Sequence, residues 1–146
     1  MNSFALFILL AGFVIGLGAV TVIDLHGFLG RKSSYWTMAT IRTHKVTKPL
    51  IWLGTLLVVV GGFFFYQNVP MDGILVFHLI SVPIMILNGL FLSFSVSPYL
   101  MKLEAENKSG DILPNIWQNK ITASFLISFI AWWGNLIILV WYISNH

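Results

Sequence analysis

Four ionisable side chains stand inside or beside long apolar runs of this chain. Asp24 and His26 close the first run, His44 precedes the second, and His78 lies within the third. A carboxylate with imidazoles suits a divalent transition metal such as Zn, Fe, Ni or Cu, which makes Asp24, His26 and His44 the candidate metal ligands. Two imidazoles can also hold a haem b iron axially, which makes His26 and His44 candidate cofactor ligands. The same groups can take up and release a proton, so a relay or transport role is a third chemistry. Helical spacing sets a condition on the first. Residues two apart on a helix face nearly opposite ways, so Asp24 and His26 converge only where Gly27 or Gly30 loosens the helix. Otherwise Asp24 is expected to pair with Arg31, Lys32 or Lys48. The structural alternative is interfacial His and Asp residues bonded to headgroups, loop backbone or one another. His146 ends the chain and is expected to be solvated.

The elements that must position these groups follow from composition. The 146 residues are 58% hydrophobic and 9% charged, against about 25% charged in soluble domains. A chain this apolar has too little polar surface to face water, so lipid is the expected solvent. With no Cys, disulfides, thiolate metal sites and thiol redox chemistry are excluded. Apolar runs at about 4–26, 49–66, 73–100 and 119–143 each approach the roughly 20 residues that cross about 30 Å of hydrocarbon. Backbone polar groups must pair internally in lipid, so these runs are helices. No alternation of period two suggests a barrel. The first run is read as a retained membrane helix because only Met1, Asn2 and Ser3 precede it, with no basic leader region.

Charge sets the direction of threading. Arg31, Lys32, Arg42, Lys45 and Lys48 fall between the first two runs, and Lys102, Lys108 and Lys120 fall between the last two. The connection Gln67, Asn68, Val69, Pro70, Met71, Asp72 has no basic residue. This is the positive-inside pattern, with both termini outside and both basic loops in the cytoplasm. The net charge of +3 is juxtamembrane, so the lipid bilayer is the expected partner and nucleic acid is not. Ser33 to Thr47 suits a short interfacial helix, with Pro49 starting or kinking the second span.

Small and polar residues mark the faces expected to point inward, because lipid supplies no hydrophobic force between helices. The first run offers Gly12, Gly16, Ala19, Ile23 and His26. The second offers His44, Thr47, Ile51, Gly54, Val58 and Gly61. The third offers His78, Ser81, Met85, Asn88, Leu92, Ser95 and Tyr99, and the fourth Ser124, Ser128, Ala131, Asn135, Ile138 and Tyr142. His78, Asn88 and Asn135 form the expected polar interior; a buried amide must find a partner or water. Pro83 should kink the helix beside His78, and His78 is expected to bond within the core, with Tyr142 as one partner. A path along Ser81, Asn88, Ser95 and Asn135 would suit a small transporter or channel. Gly12/Gly16, Gly61/Gly62 and the aromatics Phe63, Phe64, Phe65, Trp132 and Trp133 offer contacts for a homo-oligomer or a larger membrane complex.

The stretch GLGAVTVIDLHGFLGRKSSYWT followed by IRTHKVTKPLIWLG resembles a group of uncharacterised small four-span membrane proteins of bacteria and archaea. The resemblance covers about a third of the chain. It implies the four-span architecture, directs attention to Asp24, His26, Arg42, His44, Lys45 and Lys48, and implies no particular activity. A fainter architectural similarity links the chain to the copper-resistance membrane proteins and to the membrane-bound protoporphyrinogen oxidase family, and it implies metal or haem as an alternative. The expected protein is all-α: a transmembrane four-helix bundle, antiparallel and up-down, in the inner (plasma) membrane. No Gly-rich phosphate loop, zinc-protease helix motif or nucleophile elbow is present.

Overall fold

A computed structural model describes residues 3–70 and 73–145. Met71 and Asp72 of the short connection, and His146, lie outside the described residues. The fold is all-α among the described residues: α1 spans Ser3–Leu29, α2 Ser34–Tyr66, α3 Gly73–Phe91, a π-helical turn Leu92–Val96, α4 Ser97–Ala105 and α5 Asn115–Asn145. With α3, the π turn and α4 joined as one rod, four helices are long and apolar enough to cross a membrane: Ser3–Leu29, Ser34–Tyr66, Leu75–Ala105 and Asn115–Asn145.

Two features differ from the sequence expectation. Residues 33–47 do not form a separate interfacial helix. They run unbroken into the second span, through Pro49, as one helix of 33 residues, about 50 Å long at 1.5 Å per residue. Pro49 lies exposed on the outer side of the helix, where its ring has room.

The second difference is the π turn. Pro98 has no N–H, and in an α-helix its ring would press on the carbonyl four residues back. The wider π turn immediately before it relieves that conflict and adds one residue to the helical circuit. The inward face therefore shifts. His78, Ser81, Met85 and Asn88 are buried as their spacing predicts, but from the end of the π turn onward the buried residues are Val96, Ser97 and Leu100. Ser95, expected to face inward, is exposed.

Glycine holds α1 against α2. A Cβ on Gly12 would lie 2.7 Å from Val58 N and 2.9 Å from Gly54 O; one on Gly61 would lie 2.5 Å from Leu9 N. A Cβ on Gly54 would collide with the Cα and N of Gly16, and one on Gly16 with the Trp132 ring. Backbone contact of this kind is how helices associate without a hydrophobic drive. Around the seam lies a core of Ala5, Leu9, Phe13, Leu17, Val58, Phe65, Trp132 and Leu139. Gly12, Gly16, Gly61 and the rings of Phe65 and Trp132, offered above as contacts for other chains, are thus used within this one, whereas Phe63, Phe64 and Trp133 stay exposed.

The remaining connection is stapled by its aromatics and charges. Tyr99 and Trp117 stack at 4.0 Å, Lys120 sits 4.7 Å above the Trp117 ring, and Lys45 pairs with Glu104 at 2.8 Å. Asn107 ends α4 with φ 57°, a left-handed cap that Asn tolerates, and Lys108 N–H closes it on the Leu103 carbonyl at 2.8 Å.

Candidate functional site

The polar interior divides into two regions with opposite hydrogen-bonding states. The first joins α3 to α5. Asn88 Nδ2 donates to Ser128 Oγ at 2.7 Å and to the Ser124 carbonyl at 3.1 Å, and Ser124 Oγ donates to Asn88 Oδ1 at 2.8 Å. Asn135 Nδ2 donates to the Ala131 carbonyl at 2.7 Å and approaches Met85 Sδ at 3.3 Å, while Ser81 Oγ donates to Asn135 Oδ1 at 2.6 Å. His78 Nε2 lies 3.2 Å from the Asn135 carbonyl and Nδ1 lies 3.4 Å from the Tyr66 hydroxyl. Asn88 and Asn135 do not bond each other: Asn88 finds two serines and a carbonyl on α5, and Asn135 finds Ser81 on α3 and the Ala131 carbonyl of its own helix. The three expected polar-interior residues are therefore buried and bonded.

The second region lies between α1, α2 and the π turn. A cavity of about 60 Å³ is lined by Asp24 from α1, by Thr40, His44, Lys48 and Trp52 from α2, and by Ser93 from the π turn. At roughly 30 Å³ of liquid volume per molecule, it has room for about two waters. Its remaining lining is apolar, including Ile23, Leu92, Val96 and Ile121. Asp24 is 9% exposed. Asp24 Oδ2 and His44 Nε2 are buried with no hydrogen-bond partner. Most buried polar atoms are bonded, and an unpaired one in a low-dielectric setting costs about 1–3 kcal/mol or more. Two such atoms on one small cavity are therefore either strained for a purpose or completed by a small polar guest. A narrower chamber, sharing Asp24, Trp52 and Leu92 with the first, continues inward to Met85, Ser128 and Trp132.

The expected cluster is only partly assembled. Asp24 and His44 meet across the cavity, but His26 is not among its lining residues. Its Nδ1 lies 3.2 Å from Thr43 Oγ1, and its ring packs 5.1 Å from that of Trp36. α1 stays helical through Gly27 to Leu29, so positions 24 and 26 diverge as two-residue spacing requires. Among the described residues, no group of three or more His, Cys, Asp or Glu side chains could hold a metal ion. At about 60 Å³ the cavity is well below the roughly 300 Å³ at which pockets for larger organic ligands begin, and it does not bring His26 and His44 together.

Sequence reasoning passed over Trp52 and Ser93 as site residues and treated Lys48 only as a possible partner of Asp24. Trp52 Nε1 donates to Ser93 Oγ at 3.0 Å. Lys48 Nζ lies 3.5 Å from the Ser93 carbonyl and 3.4 Å from Ser97 Oγ. The signal for them was the Ser93…Ser97-Pro98 spacing, one helical turn ending in a proline, which marks a break in the third span. Comparison with protein families, with curated proteins and with solved structures gives no match.

Proposed function

We propose that the chain is a small multi-pass protein of the inner (plasma) membrane, threaded up and down with both termini outside, whose Asp24–His44 cavity takes up and releases protons in a transport process. The threading rests on the confinement of every Lys and Arg to 31–48 and 102–120. It also rests on the α1–α2 contacts, in which Leu9 meets Gly61 while Gly16 meets Gly54, so residue numbers run in opposite senses along the seam. The single observation that carries the function is the pair of unpartnered buried atoms, Asp24 Oδ2 and His44 Nε2, on a cavity sized for water. Ionisable groups inside membrane spans mark proton or ion pathways by default. A carboxyl and an imidazole bridged by water pass a proton without any redox partner: the carboxyl O–H breaks, and an N–H forms on the ring.

The saturated network of Asn88, Asn135 and Ser81 suits packing better than conduction, and Ser95 lies off that path. Association into a homo-oligomer or a larger membrane complex rests on the exposed Phe63, Phe64 and Trp133, since Gly12, Gly16 and Gly61 are engaged within the chain. Purified protein in liposomes loaded with a pH-sensitive dye tests the proposal. Wild type is expected to equilibrate an imposed proton gradient, and Asp24→Asn to lose at least about tenfold of that rate, the effect of 1.4 kcal/mol on a barrier. Equal rates in wild type, Asp24→Asn and empty liposomes would reject it. A Soret band that His26→Ala or His44→Ala removes would replace it with a haem protein.

A further inference from the structure

In the π turn, Ser97 N–H reaches back five residues to the Leu92 carbonyl. In α register that N–H would serve Ser93. The next donor in π register for the Ser93 carbonyl is position 98, and Pro98 carries no N–H. The Ser93 carbonyl thus loses both of its backbone donors within a membrane span, where a freed carbonyl must find another donor. The polar hydrogens brought to it come from another helix: Lys48 Nζ at 3.5 Å, which also approaches Ser97 Oγ at 3.4 Å. Trp52, one helical turn along α2 from Lys48, fixes the Ser93 side chain.

We infer that Lys48 is a positioning residue that replaces the missing backbone donor of the third span and is shared between the Ser93 carbonyl and the Asp24 carboxylate, so that the charge on Asp24 governs the π turn. The inference deepens the proposed function and rests on it for the role of Asp24 alone. The cavity's titratable groups are Asp24 from α1 and His44 and Lys48 from α2; the π turn, α3 and α5 contribute none. While Asp24 keeps its proton, Lys48 has the Ser93 carbonyl as its acceptor. When Asp24 ionises, a bare carboxylate in low dielectric demands a cation, and a charge-assisted bond outcompetes a neutral carbonyl. Lys48 then swings to Asp24, and the Ser93 carbonyl is left to open the turn. Proton release at the cavity is in this way converted into a change in the backbone of a neighbouring span.

Amide hydrogen exchange of the segment around residues 92–100, measured on protein in lipid nanodiscs, tests this through a rescue. Lys48→Met is expected to speed exchange roughly tenfold, the equivalent of about 1.4 kcal/mol for a lost charged hydrogen bond. Pro98→Ala restores an N–H at the position that can reach Ser93, so Lys48→Met/Pro98→Ala should return to the wild-type rate. Lys48→Arg, which keeps a cation, should stay protected and guards against a Lys48→Met protein that fails to fold. In wild type, the protection factor (exchange corrected for the base-catalysed rise common to all amides) should fall as pH rises and Asp24 loses its proton, and in Asp24→Asn it should be flat. Exchange in Lys48→Met that equals wild type, a double variant as fast as Lys48→Met, or a wild-type protection factor that does not change with pH would each overturn the inference. The rescue does not involve proton flux, so it can succeed while the liposome assay fails, or fail while that assay succeeds.

Discussion

The α3–α5 interface and the α1–α2–π cavity are both polar and both buried, yet only one of them is complete. At Asn88 and Asn135 each amide meets serines and carbonyls at 2.6–3.3 Å. At Asp24 and His44, on the lining of one small cavity, a carboxyl oxygen and a ring nitrogen are buried without a partner. A satisfied amide in a membrane bundle is explained by packing, since the alternative is an unpaired dipole in hydrocarbon. An unsatisfied carboxyl is not explained by packing, because an apolar residue of similar size would fill the site at lower cost. The comparison teaches that burial of polar groups alone does not tell the two regions apart; the state of their hydrogen bonds does.

The largest expected break between the two regions is in activity. Asp24→Asn should abolish proton flux, whereas Asn88→Leu should leave it within about twofold, well inside the tenfold that 1.4 kcal/mol represents; liposome assays of both variants decide this. If Asn88→Leu also abolished flux, the saturated network would belong to the path, and the contrast would dissolve. The next effect is on folding. Gly54→Ala drives a methyl into the Gly16 backbone, and overpacking of this kind costs about 1–3 kcal/mol. It should lower the thermal midpoint in detergent by several degrees while leaving the polar network alone. Asn88→Leu should cost less, about 1–2 kcal/mol, since measured interhelical bonds average about 0.6 and reach about 1.7 kcal/mol.

The smallest effect lies outside both regions and serves as a control. Lys108, hydrogen-bonded to Glu106 at 2.9 Å, holds the Glu106 carboxyl below the usual glutamate range, with its charge and that of Lys102 adding to the effect. A carboxyl lowered on folding contributes stability at neutral pH that fades as pH falls through its folded value. Glu106→Gln should therefore change the thermal midpoint slightly at neutral pH and not at all in strong acid. Both residues are fully exposed, so salt should erase the difference.

Much of the architecture was legible in the residues. Four apolar runs became four membrane-length helices, and small and polar residues three and four apart marked the inward faces of α1, α2, α5 and the first half of α3. Gly12 and Gly16 announced a close contact, and Gly54 and Gly61 supplied the other side of it. Asp24 and His44 were picked out together with His26 as one cluster, of which the cavity keeps the first two. Three things were not legible. The helix continues through Pro49, because nothing local reveals whether a proline will start a helix or sit on its open side. His26 turns away from the pair, since the looseness that Gly27 could have supplied is not used. Ser95 turns outward, because the π turn shifts the face by one residue.

The sequence by itself determined that the chain forms four membrane-length helices, and it marked most of their inward faces and the direction of threading that the basic residues favour. These depend on local sums of hydropathy, charge and spacing, which the bilayer reads directly. Only the tertiary structure decided that Lys48 and Trp52 of α2 reach the Ser93 backbone and side chain, more than forty positions away, and that Asp24 and His44 come to line one small cavity, each with a buried polar atom left without a partner. Register and cavity arise from how helices with separate constraints fit together: Pro98 widens one helix, the glycine seam fixes another beside it, and the volume left between them is a property of neither alone.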